Sequence, residues 1–210
     1  YPETKTNGGQ YKEAIQYQYT DYLPLNGLDR VDMKYYSAGS PSLLADSSYV
    51  LTGAAKATAT PTSYETMVSQ CVISAGGSLS ITAPGNGSRV LISECIVGSG
   101  GYLEMDQLRT DNEGNTDLSN VIVLAGGSAN ISNAIVNQLN VRSGAVVNLD
   151  NVKLYEGCVY QGATLNVSGL YLKSSWVPYP DLDKVYESGF VLEGAAFNNF
   201  GLCSLQGEPL

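Results

Sequence analysis

Between Val121 and Leu172 the apolar residues fall in pairs two positions apart: Val121/Val123, Ala129/Ile131, Ala134/Val136, Leu139/Val141, Val147/Leu149, Val152/Leu154, Gly157/Val159, Leu165/Val167 and Leu170/Leu172. Each pair is the signature of a very short strand that points two side chains to one side. The steps between successive pairs run long, short, short, so the cycle that begins at Val121 begins again at Leu139 and at Gly157. A chain with this repeat winds, and each strand lies parallel to the one a full turn later. The pattern predicts an all-β fold, a parallel β-helix (β-solenoid) of about 18 residues and three short strands per turn. The uneven steps favour a right-handed coil.

A corner marker runs alongside: an aliphatic residue, two residues, Gly, then Gly or Ala. It occurs at Val50/Gly53, Ile73/Gly76, Val97/Gly100, Val123/Gly126, Val141/Gly144, Val159/Gly162 and Val191/Gly194. These glycines fall in the long step, where a tight corner favours a residue without a β-carbon. Asn130, Asn148 and Asn166 share one outward phase and are expected to stack as an amide ladder. Asn115, Asn133, Asn151 and Gly169 share another phase, at a short step suited to positive φ.

Spacing also locates the insertions. The corner glycines keep the basic interval only from Gly126 through Gly144 to Gly162; every other interval is wider and holds an extra segment. The segments are short after Gly53 and Gly76, longer after Gly100 and longest after Gly162. Phasing the pairs places the last three near 84–89, 109–116 and 173–187. The two longest are expected between the second and third strands of their turns, and so on one edge of the solenoid. Three regions follow: a Tyr-rich segment 1–47 that caps the coil or joins subunits as an arm, the β-helix over 48–194, and a C-terminal cap or truncated end over 195–210.

Composition narrows the setting. The chain has 210 residues, a net charge of −9 and no histidine. An acidic surface disfavours nucleic acid, and no stretch is apolar for long enough to form a membrane-spanning helix. Four cysteines among abundant Gly, Ser, Thr and Asn favour an oxidising, secreted or cell-surface location. Cys71 and Cys95 share an inward phase in consecutive turns, and either a disulfide or an unbonded thiol ladder fits that placement.

Without histidine, imidazole metal sites and Ser-His triads are ruled out. The remaining chemistry lies in the two long loops. Asp111, Glu113 and Asp117 place carboxylates around a central Gly114, a loose calcium-loop pattern that competes with ordinary solvated acids. Trp176, Tyr179 and Tyr186 with Asp181 and Asp183 would suit stacking on a sugar ring; Trp176 packed over the solenoid as a lid is the alternative. No pair of carboxylates in the repeats has the spacing a glycosidase needs. Arg142 and Lys153, the basic residues of the regular turns, read as solvated outward side chains.

The segment 141–149 (Val-Arg-Ser-Gly-Ala-Val-Val-Asn-Leu) and its relatives at 71–81 and 121–131 resemble the Gly-rich repeats of self-associating bacterial autotransporter adhesin passengers. That resemblance covers roughly residues 66–172. It implies a right-handed β-helix on the bacterial surface that promotes adhesion without catalysis. The expected function is a secreted or surface-displayed structural or adhesive protein that self-associates or binds a glycan or other surface ligand. The alternatives are a self-assembling subunit of an extracellular filament and a polysaccharide lyase or hydrolase of the phage-depolymerase type.

Overall fold

The computed structural model describes residues 33–44, 47–59, 65–82, 88–107, 117–172, 189–192, 195–205 and 208–209. Among them are sixteen strands and no helix. In chain order they are β1 (Met33–Tyr36), β2 (Ser48–Leu51), β3 (Lys56–Ala59), β4 (Glu65–Ile73), β5 (Ser78–Thr82), β6 (Arg89–Val97), β7 (Tyr102–Asp106) and β8 (Leu118–Val123). They continue as β9 (Ser128–Ser132), β10 (Ile135–Val141), β11 (Val146–Asp150), β12 (Val152–Val159), β13 (Thr164–Leu172), β14 (Gly189–Leu192), β15 (Ala196–Leu205) and β16 (Glu208–Pro209).

The strands form two stacked ladders. One is β1-β2-β4-β6-β8-β10-β12, the other β3-β5-β7-β9-β11-β13, and they join where β12 meets β13. Every pairing is parallel except β15 with β16. This is the predicted parallel β-solenoid. The register shows how the turns differ in size. Leu51 stands on Ile73, Ile73 on Val97 and Val97 on Val123, each a widened interval. Val123, Val141 and Val159 then follow at the bare repeat, and the widest interval separates Val159 from Leu192. The bare turn is the interval from Val123 to Val141 and Val159; insertions enlarge the others, and only the step from β1 to β2 is shorter.

The inward pairs pack as the alternation predicts. Val121, Val123, Ala129, Ile131, Ala134, Val136, Leu139, Val141, Val147 and Leu149 are all buried in one continuous core. Burying each such Val, Leu or Ile side chain is worth about 1.5–3 kcal/mol. The second and third pairs of a turn, expected on separate strands, share one bent strand. Pairing skips the residue at the bend: Asn137 and Tyr155, and likewise Ser69, Ser93 and Ser119. A turn thus has three inward faces but two strands.

The corner glycines Gly76, Gly100, Gly126, Gly144 and Gly162 all have positive φ. Their backbones stack: the N–H of Gly76 donates to the carbonyl of Gly100, and the chain continues through Gly126 and Gly144 to Gly162 at 2.8–3.0 Å. The first and last marker matches are one residue out of phase. Leu51, not Val50, stands over Ile73, and Leu192, not Val191, stands over Val159. Gly53 therefore stacks on Ala75, which itself holds φ 50°. Asn133 and Asn151 have φ of 49° and 52°, as their column predicts. Gly169 lacks that conformation; a β-carbon there would lie 2.7 Å from the Asn151 nitrogen.

The ladder starts earlier than position 48. Strand β1 lies in register on β2, and Ser42 bridges to Thr58. Residues 33–44 form a short first turn whose inward positions, Lys34 and Tyr36, cover the open end. Tyr36 stacks on Tyr49 with ring centroids 6.3 Å apart, and the Lys34 ammonium sits 5.6 Å from the Tyr49 ring. Residues 1–32 lie outside the described residues. At the other end, β15 adds a parallel layer beyond Gly194, and β16 turns back on it.

Candidate functional site: the face between the two long insertions

Loop 108–116 enters the strand at Asp117, just before Leu118, which stacks on Val136 of the second face. The insertion after β13 leaves that same face, since Leu172 stands on Leu154. The two long segments therefore flank the second face from its opposite ends instead of sharing one edge. The phasing expected for 109–116 fails because the second face of that turn is marked by a single apolar residue, Leu118. The loop at 83–87 enters at the same corner, between β5 and β6.

The outward column of this face is Met67, Leu91, Asp117, Ile135 and Lys153, the last three between the insertions. Its burial changes along the axis: Met67 is 49% exposed, whereas Asp117, Ile135 and Lys153 are buried. Asp117 is clamped by backbone. Its carboxylate accepts the Ile135 N–H at 2.7 Å, its own N–H donates to the Ile135 carbonyl at 2.8 Å, and its carbonyl accepts the Ile92 N–H at 2.8 Å. These bonds restart the ladder where the inserted loop rejoins it.

Asp111 and Glu113, the other calcium candidates, lie outside the described residues, as do Trp176, Tyr179, Asp181, Asp183 and Tyr186. Among the described residues no group of three His, Cys, Asp or Glu side chains could hold a metal ion. The basic residues are less solvated than expected. Lys153 is buried, and the Arg142 guanidinium packs 4.1 Å from the centre of the Tyr160 ring.

The amide ladder is present and longer than predicted. Asn198 donates to Asn166, Asn166 to Asn148, Asn148 to Asn130, and Asn130 to the Tyr102 hydroxyl, at 2.6–2.8 Å. Partial burial and the Glu104 carboxylate raise the Tyr102 pKa, and the Asn130 hydrogen bond opposes them. A second ladder runs from Asn151 through Asn133 to Asp106, at 2.7 and 2.9 Å. Cys71 and Cys95 are register neighbours, both buried free thiols. Burial pushes the Cys95 thiol up to about 12, with Glu94 adding to it. Burial, then Cys95, pushes Cys71 well above its ordinary value.

The pairing rule misses one group of buried residues. Val50, Val72, Ile96 and Ile122 point away from the core yet are buried in a cluster of their own with Met33 and Leu124. Consecutive apolar triplets signal it: Cys71-Val-Ile, Cys95-Ile-Val and Val121-Ile-Val, against Leu139-Asn-Val in a bare turn. Comparison with protein-family models, curated proteins and solved structures gave no match.

Proposed function

We propose that this chain is a secreted or surface-displayed β-helix that serves as a structural or adhesive scaffold, associating with its own copies or with a surface ligand. The observation that carries this reading is the outer amide ladder from Tyr102 to Asn198. Its side chains satisfy one another along the axis. That favours a stiff, regular outer row with few charges, suited to extended contact rather than to a reaction needing converging acids and bases. The likeness of its repeats to autotransporter adhesin passengers supports a bacterial surface setting, and the absence of histidine from the chain agrees with a non-catalytic role.

The test is light scattering of the full chain across a concentration series, with electron microscopy of any large species and a clustering assay on cells displaying it. Association or clustering is expected, and Asn148→Lys with Asn166→Lys should abolish it while far-UV circular dichroism stays unchanged. A chain that stays monomeric, clusters no cells and cleaves an acidic polysaccharide, with turnover abolished by Asp111→Asn or Asp181→Asn, would overturn the reading.

A further inference from the structure

Two of the cysteines meet in the core as a site for a covalent cross-link. Cys71 on β4 and Cys95 on β6 are register partners in adjacent turns, and both are fully buried in the core cluster. The next positions of that column are Tyr49 on one side and Val121 on the other, so each thiol has a single sulfur neighbour in register. Cys158 pairs in register with Asn140 and Val191, and Cys203 with Leu170. Among the described residues, Cys71 and Cys95 are therefore the one pair of cysteines in register.

Adjacent strands lie ~4.8 Å apart, inside the ~4.4–6.8 Å between α-carbons that a disulfide spans. Register partners in a parallel ladder point their β-carbons the same way, so the β-carbon spacing is close to that value and slightly beyond the ~3.5–4.5 Å of a relaxed bridge. A small approach of the two layers closes the gap, and the bond so formed is strained and readily reduced. The structure holds the pair open, as free thiols. We propose that Cys71 and Cys95 form a disulfide between consecutive turns when the chain folds in an oxidising medium, with a small-molecule disulfide such as oxidised glutathione as the oxidant. One protein thiolate attacks that disulfide, forming a mixed disulfide and releasing one glutathione thiolate. The second attacks the protein sulfur of the mixed disulfide and releases the other. The two protein thiol protons pass to the two leaving thiolates, so two cysteines are oxidised and one glutathione disulfide is reduced. Exchange needs a thiolate open to solvent, whereas burial in the finished core keeps both thiols protonated. The bond therefore closes before β4 and β6 are covered, whatever the outer amide row binds.

Disulfide mapping of the full chain tests this. One sample is refolded from urea with excess oxidised glutathione; a second is folded under reductant and given the same oxidant afterwards. Both are then unfolded, alkylated and digested with trypsin, which cuts after Arg89 and so separates the two cysteines. The first sample should yield peptides 57–89 and 90–109 joined by a bond that reductant splits. The second should yield the same two peptides separate and alkylated. Separate peptides in the first sample, or a link from either to Cys158 or Cys203, would overturn the pairing. A bridge that forms equally well in the second sample would overturn its closure during folding.

Discussion

Two glycines of the stack separate two physical constraints, and substituting both measures each. Gly144 turns a corner at φ 78°, and a β-carbon there would touch only Ala125 and the Gly126 nitrogen, at 3.7 Å or more. The cost of Gly144→Ala is then conformational, ~1–2 kcal/mol for the left-handed region, reduced by ~0.4–1 kcal/mol through the less flexible unfolded chain. Gly144→Asn should cost less, since Asn133 and Asn151 already hold positive φ in this coil. Gly157 is different. A β-carbon there would lie 2.1 Å from the Leu139 carbonyl oxygen and 3.1 Å from its nitrogen, both backbone atoms of the layer above. Adjacent layers cannot part locally without losing the β10–β12 hydrogen bonds, so Gly157→Ala should cost at least ~3 kcal/mol, the upper range for overpacking. Urea unfolding of the full chain, followed by circular dichroism, gives the midpoints. Gly157→Ala proving no worse than Gly144→Ala would refute the argument that layer spacing, rather than backbone conformation, fixes Gly157.

Three further outcomes follow from the same contacts. Asn148→Ala removes one donated and one accepted ladder bond and should cost ~1–2 kcal/mol; Asn198→Ala loses its single bond to Asn166 and should cost about half that, compared by urea midpoints. Asp117→Ala leaves the buried Ile135 N–H unpaired, a loss of ~1–3 kcal/mol, whereas Asp117→Asn keeps an acceptor and should lose less; hydrogen exchange at the Ile135 amide reports the difference. Cys71 and Cys95 should resist iodoacetamide at pH 8 while the partly exposed Cys158 reacts. Their raised pKa values mean that the unfolded chain releases protons the fold retains, so this stabilisation is complete below about pH 9 and is lost as pH rises toward 12. Replacing both with Ala should flatten the alkaline slope.

Much of the fold was legible because a solenoid repeats its constraints. Each inward pair sees the same neighbours one turn later, so spacing alone placed Leu139 under Val121, Cys71 over Cys95 and Asn148 between Asn130 and Asn166. Reading failed where the repeat carried too little apolar signal or too much. Leu118 alone could not announce the second face after a long insertion. The fully apolar triplets of β4, β6 and β8 hid their outward residue among core residues. At Gly53 the positive φ moved forward one position, and Ala75 took the matching strain opposite. The loop candidates at 111–113 and 176–186 lie outside the described residues; of that set the structure places only Asp117, on the second face as a buried acceptor.

The change of character along one outward row connects the fold to its proposed role. Strand alternation fixes the direction of each side chain, so the residue chosen in each layer decides what that face meets. From Val50 to Ile122 the choice is apolar and the face is buried; at Asn140 it turns polar. The amide ladder occupies a different row, on β9, β11, β13 and β15, in register with Glu104 of β7, and its last bond goes to the adjacent Tyr102 hydroxyl. In the proposed function the polar row carries association, because the apolar row is already buried, in a cluster separate from the core pairs.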